Sequence, residues 1–207
     1  MKERVAYDDA VDLLDADHKA VKKMFIDHAA LCEHGAPAAA KRQLAQRICQ
    51  ALAVHAQIEE EVFYPQVRKA IGDDALMDEA LHEHAEVKEA ITLIEAMKAT
   101  DAGHDVAVMQ LGMLIDQHVL EERQLIFLKA RQAALDLRGM TLPLLKRQRQ
   151  LKKEAGATVA REEPCDGVGV VIDNQDADRT RKARGRLPEL ARPGASPRSS
   201  RGSARSG

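Results

Sequence analysis

Tryptophan is absent from this 207-residue chain, and aromatic residues make up only 2% of it. Sheet-rich folds lean on aromatic and β-branched side chains, so that scarcity disfavours one. Cysteine is scarce too: Cys32, Cys49 and Cys165 form no CxxC pair and cannot all bridge one another. That usage gives no disulfide framework and fits a reduced, cytoplasmic chain. No apolar run approaches the roughly 18 residues that a membrane span needs. The first residues are charged (Lys2, Glu3, Arg4, Asp8, Asp9) and lack an apolar stretch, so no secretory leader is expected. An excess of either charge is also missing. The 31 basic and 33 acidic residues leave a net charge of −2, against the strong positive balance of a dedicated nucleic-acid-binding domain. What is present is a 45% share of hydrophobic residues, enough to build a core.

Composition changes sharply after Glu154. Residues 155–207 hold 7 of the 12 glycines, 4 of the 7 prolines and no aromatic residue. From Arg179 onward nine basic residues stand against one acid, Glu189, and the chain closes on GASPRSSRGSARSG. Such a segment buries too little apolar surface to offset its ordering entropy, so 155–207 reads as a disordered, basic, low-complexity tail. Contact with nucleic acid or an acidic partner is the functional alternative for that tail, and a solvated arm without a defined role is favoured over it. Only 168–172 (VGVVI) looks strand-like, and it has no partner strand.

Residues 5–154 are helical in period almost throughout. The first seam is Val11, Leu14, His18, Val21, Phe25, His28 and Cys32, stopped by His34-Gly35 and Pro37. The second is Ile48, Leu52, His55, Glu59 and Val62, broken at Gly72-Asp73-Asp74. Ala80, His84, Val87, Ile91 and Ile94 form the third, and Leu111, Ile115, His118, Glu122 and Leu125 the fourth. Steps alternating between three and four residues mark a narrow buried stripe. Short connections make neighbours antiparallel, so the expected fold is all-α, an up-down-up-down four-helix bundle over 1–138. Gly139 and Pro143 are expected to interrupt the chain, and 139–154 to form a short, mostly polar extra helix. Pro65 should bend the second helix by removing one backbone hydrogen bond.

Six seam residues do not belong in a core: His18, His55, Glu59, His84, His118 and Glu122. Two helices carry the same pair, a His followed four residues later by a Glu, which puts both side chains on one face. Counted outward from the loops at a rise of about 1.5 Å per residue, facing members agree in height to about 1.5–3 Å, so all six meet in one slab. Buried carboxylates require compensation. Four imidazoles and two carboxylates suit Fe, Mn or Zn, whereas the lack of a thiolate cluster excludes an iron–sulfur centre. With both carboxylates and one oxygen bridging, about ten of the twelve positions of two octahedra are filled, and about two stay open for a small molecule.

At these residues the chain resembles the bacterial hemerythrin-like proteins of the HHE cation-binding family. The matching segments are Asp17-His18-Lys19, HAQIEEEVFYP at 55–65, EALHEHAEVKEAI at 79–91 and QHVLEER at 117–123. The resemblance spans about residues 8–137. It implies a four-helix bundle around a non-heme di-iron centre, two iron ions with an oxo or hydroxo bridge, held by His18, His55, Glu59, His84, His118 and Glu122. Oxygen-carrying hemerythrins add a fifth His from an HxxxH pair on the third helix; here Ala80 and Lys88 stand four residues either side of His84. That leaves the implied pair less saturated. Arg123 and Leu128 replace a further acid and a Pro of the family's fourth helix.

His82 lies about 200° around the third helix from His84, on a polar face with Glu86 and Glu89, and reads as a bystander. Glu60, Glu61 and Glu121 flank the metal-type residues and point off the seam, as solvated carboxylates, with an ion pair or a hydrogen bond that orients a metal ligand as the alternative. His28, about 15 Å along the first helix from His18, reads as a hydrogen-bonded residue at the bundle end. His34 favours the negative end of its helix, and His104 reads as a solvated residue at a helix start. Two functions fit the slab. One is a binding protein that holds iron and a small ligand (oxygen, nitric oxide or peroxide) for sensing, buffering or stress defence. The other is a di-iron enzyme turning those molecules over. The binding reading is favoured, and no membrane partner is expected.

Overall fold

The computed structural model describes residues 7–162 of the chain. Every element among them is helical. Helix α1 is Ala10–Glu33. Asp9 starts it by accepting the Asp12 amide at 3.0 Å. Gly35, at φ +64°, ends it, and the Ala36 amide folds back to the Leu31 carbonyl at 2.9 Å. Helix α2 (Ala38–Ile58) follows Pro37, runs through a π-turn at Glu59–Phe63 and continues as α3 (Tyr64–Ile71). Gly72, also at φ +64°, stops that rod, and Asp73 caps α4 (Asp74–Ala96) through the Leu76 amide at 3.2 Å. The fourth rod repeats the second: α5 (His104–Glu121), a π-turn at Glu122–Ile126, then α6 (Phe127–Gln132). Around the bundle, α1 packs on α2, α2 on α4, α4 on α5, and α5 back on α1. The fold is therefore the antiparallel four-helix bundle expected from the periodicity.

Helix α7 spans Leu137–Glu162, so Gly139 and Pro143 lie inside it and do not interrupt the chain. Asp136 accounts for the early start: its carboxylate accepts the Gly139 amide at 2.9 Å and its carbonyl the Met140 amide at 3.2 Å. Met140, Leu144 and Leu151 then bury against α1, α2 and the first π-turn, and that burial outweighs the hydrogen bond lost at Pro143. The helix also extends past the composition change. The rest of the expected tail, residues 163–207 with the strand-like 168–172 and Cys165, lies outside the described residues.

The two π-turns reset the buried face. The seam was expected to run from Glu59 to Val62 and from Glu122 to Leu125. The buried residues are instead Phe63 and Ile126, four residues beyond each Glu, and Leu125 is exposed. Each turn closes with a hydrogen bond spanning five residues, Tyr64 to Glu59 and Phe127 to Glu122. Pro65 follows the first turn, but Leu128 holds the matching place after the second, so proline is not their common cause. The shared feature is a carboxylate that must point inward at the first residue of each turn. One-residue expansions of this kind gather at functional sites.

Apolar burial falls into two clusters. One contains Leu14, Ile58, Phe63, Met77, Ile126 and Leu144. The other contains Val21, Ile48, Leu52, Val87, Leu111 and Ile115. The slab of His and Glu residues lies between them along every rod.

Candidate metal centre

All six residues singled out from the sequence come together there, and all are buried, with Glu59 and Glu122 fully enclosed. They sort into two halves. In one, His18 Nε2 and His55 Nε2 are 2.7 Å apart; in the other, His84 Nε2 and His118 Nε2 are 3.2 Å apart. Glu59 stands between the halves, with Oε1 3.2 Å from His55 Nε2 and Oε2 3.4 Å from His84 Nε2. Glu122 does the same through one oxygen, Oε2, at 3.2 Å from His18 Nε2 and 3.7 Å from His118 Nε2. Two ligand groups of cation-binding size result, His18 with His55, Glu59 and Glu122, and Glu59 with His84 and His118.

These approaches are convergent rather than paired. Both Glu59 oxygens and Glu122 Oε2 lie within reach of imidazole nitrogens yet make no hydrogen bond. Carboxylate oxygens that lie near several imidazole nitrogens without bonding any of them fit a cation, and buried carboxylates without partners are otherwise costly. The protein's own charges follow the same logic. Burial opposes ionisation of Glu59, but His55 and His84 outweigh it and hold its carboxyl well below the usual range. Burial likewise opposes a charged His55, yet Glu59, Asp17 and Glu122 prevail and lift its pKa to about 10. His118 is raised in the same way by Glu122 and Glu83 against its burial. The raised His55 and His118 thus face the carboxylates, and a cation bound there would displace their protons.

Residues around the slab aim the imidazoles, and most of them were not legible beforehand. Asp17 Oδ2 is 3.7 Å from His55 Nδ1, and Glu83 Oε2 is 2.7 Å from His118 Nδ1. Both immediately precede a slab histidine, and that repeated offset was the available signal. Glu60 corrects the expectation of an off-seam solvated carboxylate: its Oε1 meets His84 Nδ1 at 2.9 Å while Lys88 holds both its oxygens. Glu61 does point away and pairs with Arg147 of α7 at 2.5 Å, and Glu121 takes the amide of Gln117. Gln148, also of α7, donates to Asp17 at 2.5 Å. Tyr64 was missed altogether. Its hydroxyl donates to Glu122 Oε1 at 2.8 Å and lies 3.2 Å from His84 Nε2, and its ring stands 5.2 Å from that imidazole. Burial, then Glu122 and Glu59, push the phenol well above its ordinary pKa, so it remains a donor. Phe127, placed five residues after Glu122 as Tyr64 is after Glu59, stacks on His18 at 5.9 Å.

His82 is exposed and 3.8 Å from Glu86, away from the slab. His34 donates to the Ala30 carbonyl at the end of α1 at 2.7 Å. His104, expected to be solvated, is buried. No helix of the described residues is long and apolar enough to cross a membrane.

The family described as Hemerythrin HHE cation binding domain matches residues 9–130. A solved structure of a Hemerythrin HHE cation binding domain-containing protein from Mycobacterium kansasii superposes with a TM-score of 0.64 at 17% identity. The match covers 74% of this chain and 93% of the other. At that identity it speaks for the fold alone. No curated protein sequence matches.

Proposed function

Because the chain belongs to the hemerythrin HHE cation binding domain family, we propose that it holds two iron ions and binds a small ligand for sensing, buffering or stress defence. The ligand is dioxygen, nitric oxide or peroxide. His18, His55, Glu59, His84, His118 and Glu122 are the proposed ligands. The observation that carries this reading is Glu59, buried between His55 and His84 with neither oxygen hydrogen-bonded. A carboxylate so placed can serve a cation in each half. The donor set of imidazole and carboxylate, without thiolate, is suited to iron. Iron bound there supplies open positions and redox chemistry for a small molecule. The free thiols of Cys32 and Cys49 accord with a reducing, cytoplasmic setting.

The test is elemental analysis and an optical spectrum of protein purified after iron-supplemented expression. Two irons per chain with charge-transfer bands of a bridged pair are expected, and one zinc per chain would refute the pair. One observation favours turnover as a second reading: the Tyr64 hydroxyl carries its own proton inside the site, donated toward Glu122 Oε1. Peroxide and nitric oxide turnover by iron-loaded protein decides between the two. If turnover occurs, Tyr64→Phe should slow it on the order of 10²-fold, the range of a lost acid–base group; unchanged rates would remove Tyr64 from the chemistry.

A further inference from the structure

A second group of ligand-type side chains gathers where α1 ends and α5 begins. His28 and Cys32 lie one turn apart at the end of α1, and His104 and Asp105 open α5. His28 Nδ1 is 3.7 Å from Cys32 Sγ, and one donor atom each from His28, Cys32 and Asp105 falls within 4.8 Å of the others. His104 stands beside them, its Nδ1 3.7 Å from Asp105 Oδ1. Four residues separate His28 from Cys32 and one helix face presents both. His28 is ten residues beyond His18, about 15 Å along α1, so the group is separate from the six-residue slab.

The satisfaction of these groups is uneven in a telling way. Asp105 Oδ2 takes Lys41, but Asp105 Oδ1 is buried without a hydrogen-bond partner. His28 Nε2 and His104 Nδ1 are orphaned as well, on side chains that are 4% and 2% exposed. Neighbouring polar atoms that are buried without hydrogen-bond partners call for a ligand. A nitrogen, a sulfur and a carboxylate oxygen are the donors of a borderline-soft divalent metal and not of calcium or magnesium.

We propose that His28, Cys32 and Asp105, with His104 beside them, form a second metal site for a zinc-class divalent cation. On binding, the Cys32 thiol gives its proton to solvent and a sulfur–metal bond forms, with no change of oxidation state. Burial and Asp105 hold that thiol protonated while the site is empty. Lys41 neutralises Asp105 in the same state and competes with the cation.

Cobalt(II) added to the metal-free full-length protein tests the site, because a thiolate–cobalt charge-transfer band in the near ultraviolet cannot come from the His and Glu slab. The band should appear, vanish on adding zinc, vanish in Cys32→Ser and persist in Cys49→Ser and Cys165→Ser. His28→Gln should weaken cobalt binding, read from this band, on the order of tenfold or more. Lys41→Met should strengthen it. Helical circular dichroism of each variant guards against misfolding, and His28→Gln decides the matter if Cys32→Ser does not fold. No band at saturating cobalt, a band that survives Cys32→Ser, or an unaltered band in a folded His28→Gln overturns the proposal. The iron content of the six-residue centre is read separately and should be the same in Cys32→Ser as in the parent.

Discussion

His18 and His84 hold matching places in the two halves of the six-residue centre, yet their outward nitrogens meet different neighbours. Glu60, one residue past Glu59, accepts from or orients His84 Nδ1 at 2.9 Å. The residue one past Glu122 is Arg123, which turns to Asp15 at 2.6 Å and leaves His18 Nδ1 without a partner. Tyr64 brings a hydroxyl to one half where Phe127 brings only a ring to the other. Each half has two imidazoles and a share of Glu59, the His18 half has Glu122 in its group as well, and the two differ in what surrounds the imidazoles. A carboxylate on the far nitrogen fixes an imidazole's tautomer and raises its basicity. The His84 half should therefore hold its metal more tightly than the His18 half.

The largest effect comes from removing what the halves share. Glu59→Ala deprives both of a carboxylate and leaves a buried His55 charge unbalanced. It should empty the centre and destabilise the metal-free protein by about 3–5 kcal/mol; denaturant melts and iron analysis check it, and retention of both metals would remove Glu59 from between them. Breaking one half comes next. His84→Ala should lower iron content toward one ion per chain and alter the spectrum, whereas His82→Ala, on the exposed polar face, should do neither. The reverse pattern would overturn the ligand assignment on α4.

Tuning is subtler. Glu60→Gln should weaken binding in the His84 half about 10–100-fold, and Arg123→Glu should strengthen the other half by supplying the missing acceptor. Stepwise calorimetric titration should show the two binding steps converge in either variant; steps that stay equally far apart would contradict the difference between the halves. The smallest effect lies outside the slab, at Glu61 and Arg147. The Arg147 guanidinium and the Gln57 amide hold the Glu61 carboxyl down at about 2. A depressed acid stabilises the fold above its ordinary pKa of 4.5 and loses that contribution as the pH falls from there toward 2. The pair is partly exposed to solvent, so Arg147→Ala should lower the melting midpoint by only about 1–3 °C at neutral pH, with the difference closing in acid.

Much of this was readable from the chain because burial is unforgiving. A His or Glu at a position whose neighbours one turn away are Leu, Ile and Val declares itself, and six of them at one height declare a slab. The π-turns were not readable. Val62 and Phe63 are both apolar, as are Leu125 and Ile126, so a one-residue shift of the stripe leaves the pattern equally plausible. Tyr64 escaped for the same reason, since the shift swings it toward the centre, and that shift turned the less favoured reading of Glu60 into the observed one. His104 follows a glycine at a helix start, where solvent is the ordinary neighbour; its burial depends on the approach of α1, a tertiary fact that local sequence does not carry. Pro143 looked like a break because the apolar contacts that hold α7 in place come from α1 and α2.

The division of the apolar core by the slab bears on how the chain acquires its structure. Each cluster draws on α1, α2 and α4, so neither the α1–α2 hairpin nor the α4–α5 hairpin contains a complete nucleus. Severing the chain between the hairpins would leave two fragments with half-built interiors at both poles. Without metal, the polar layer is the plane along which the two interiors can lose cooperativity, each keeping its own protection against amide exchange. Cation binding joins them into one unit, and slow exchange should then extend through the helical turns around His18, His55, His84 and His118.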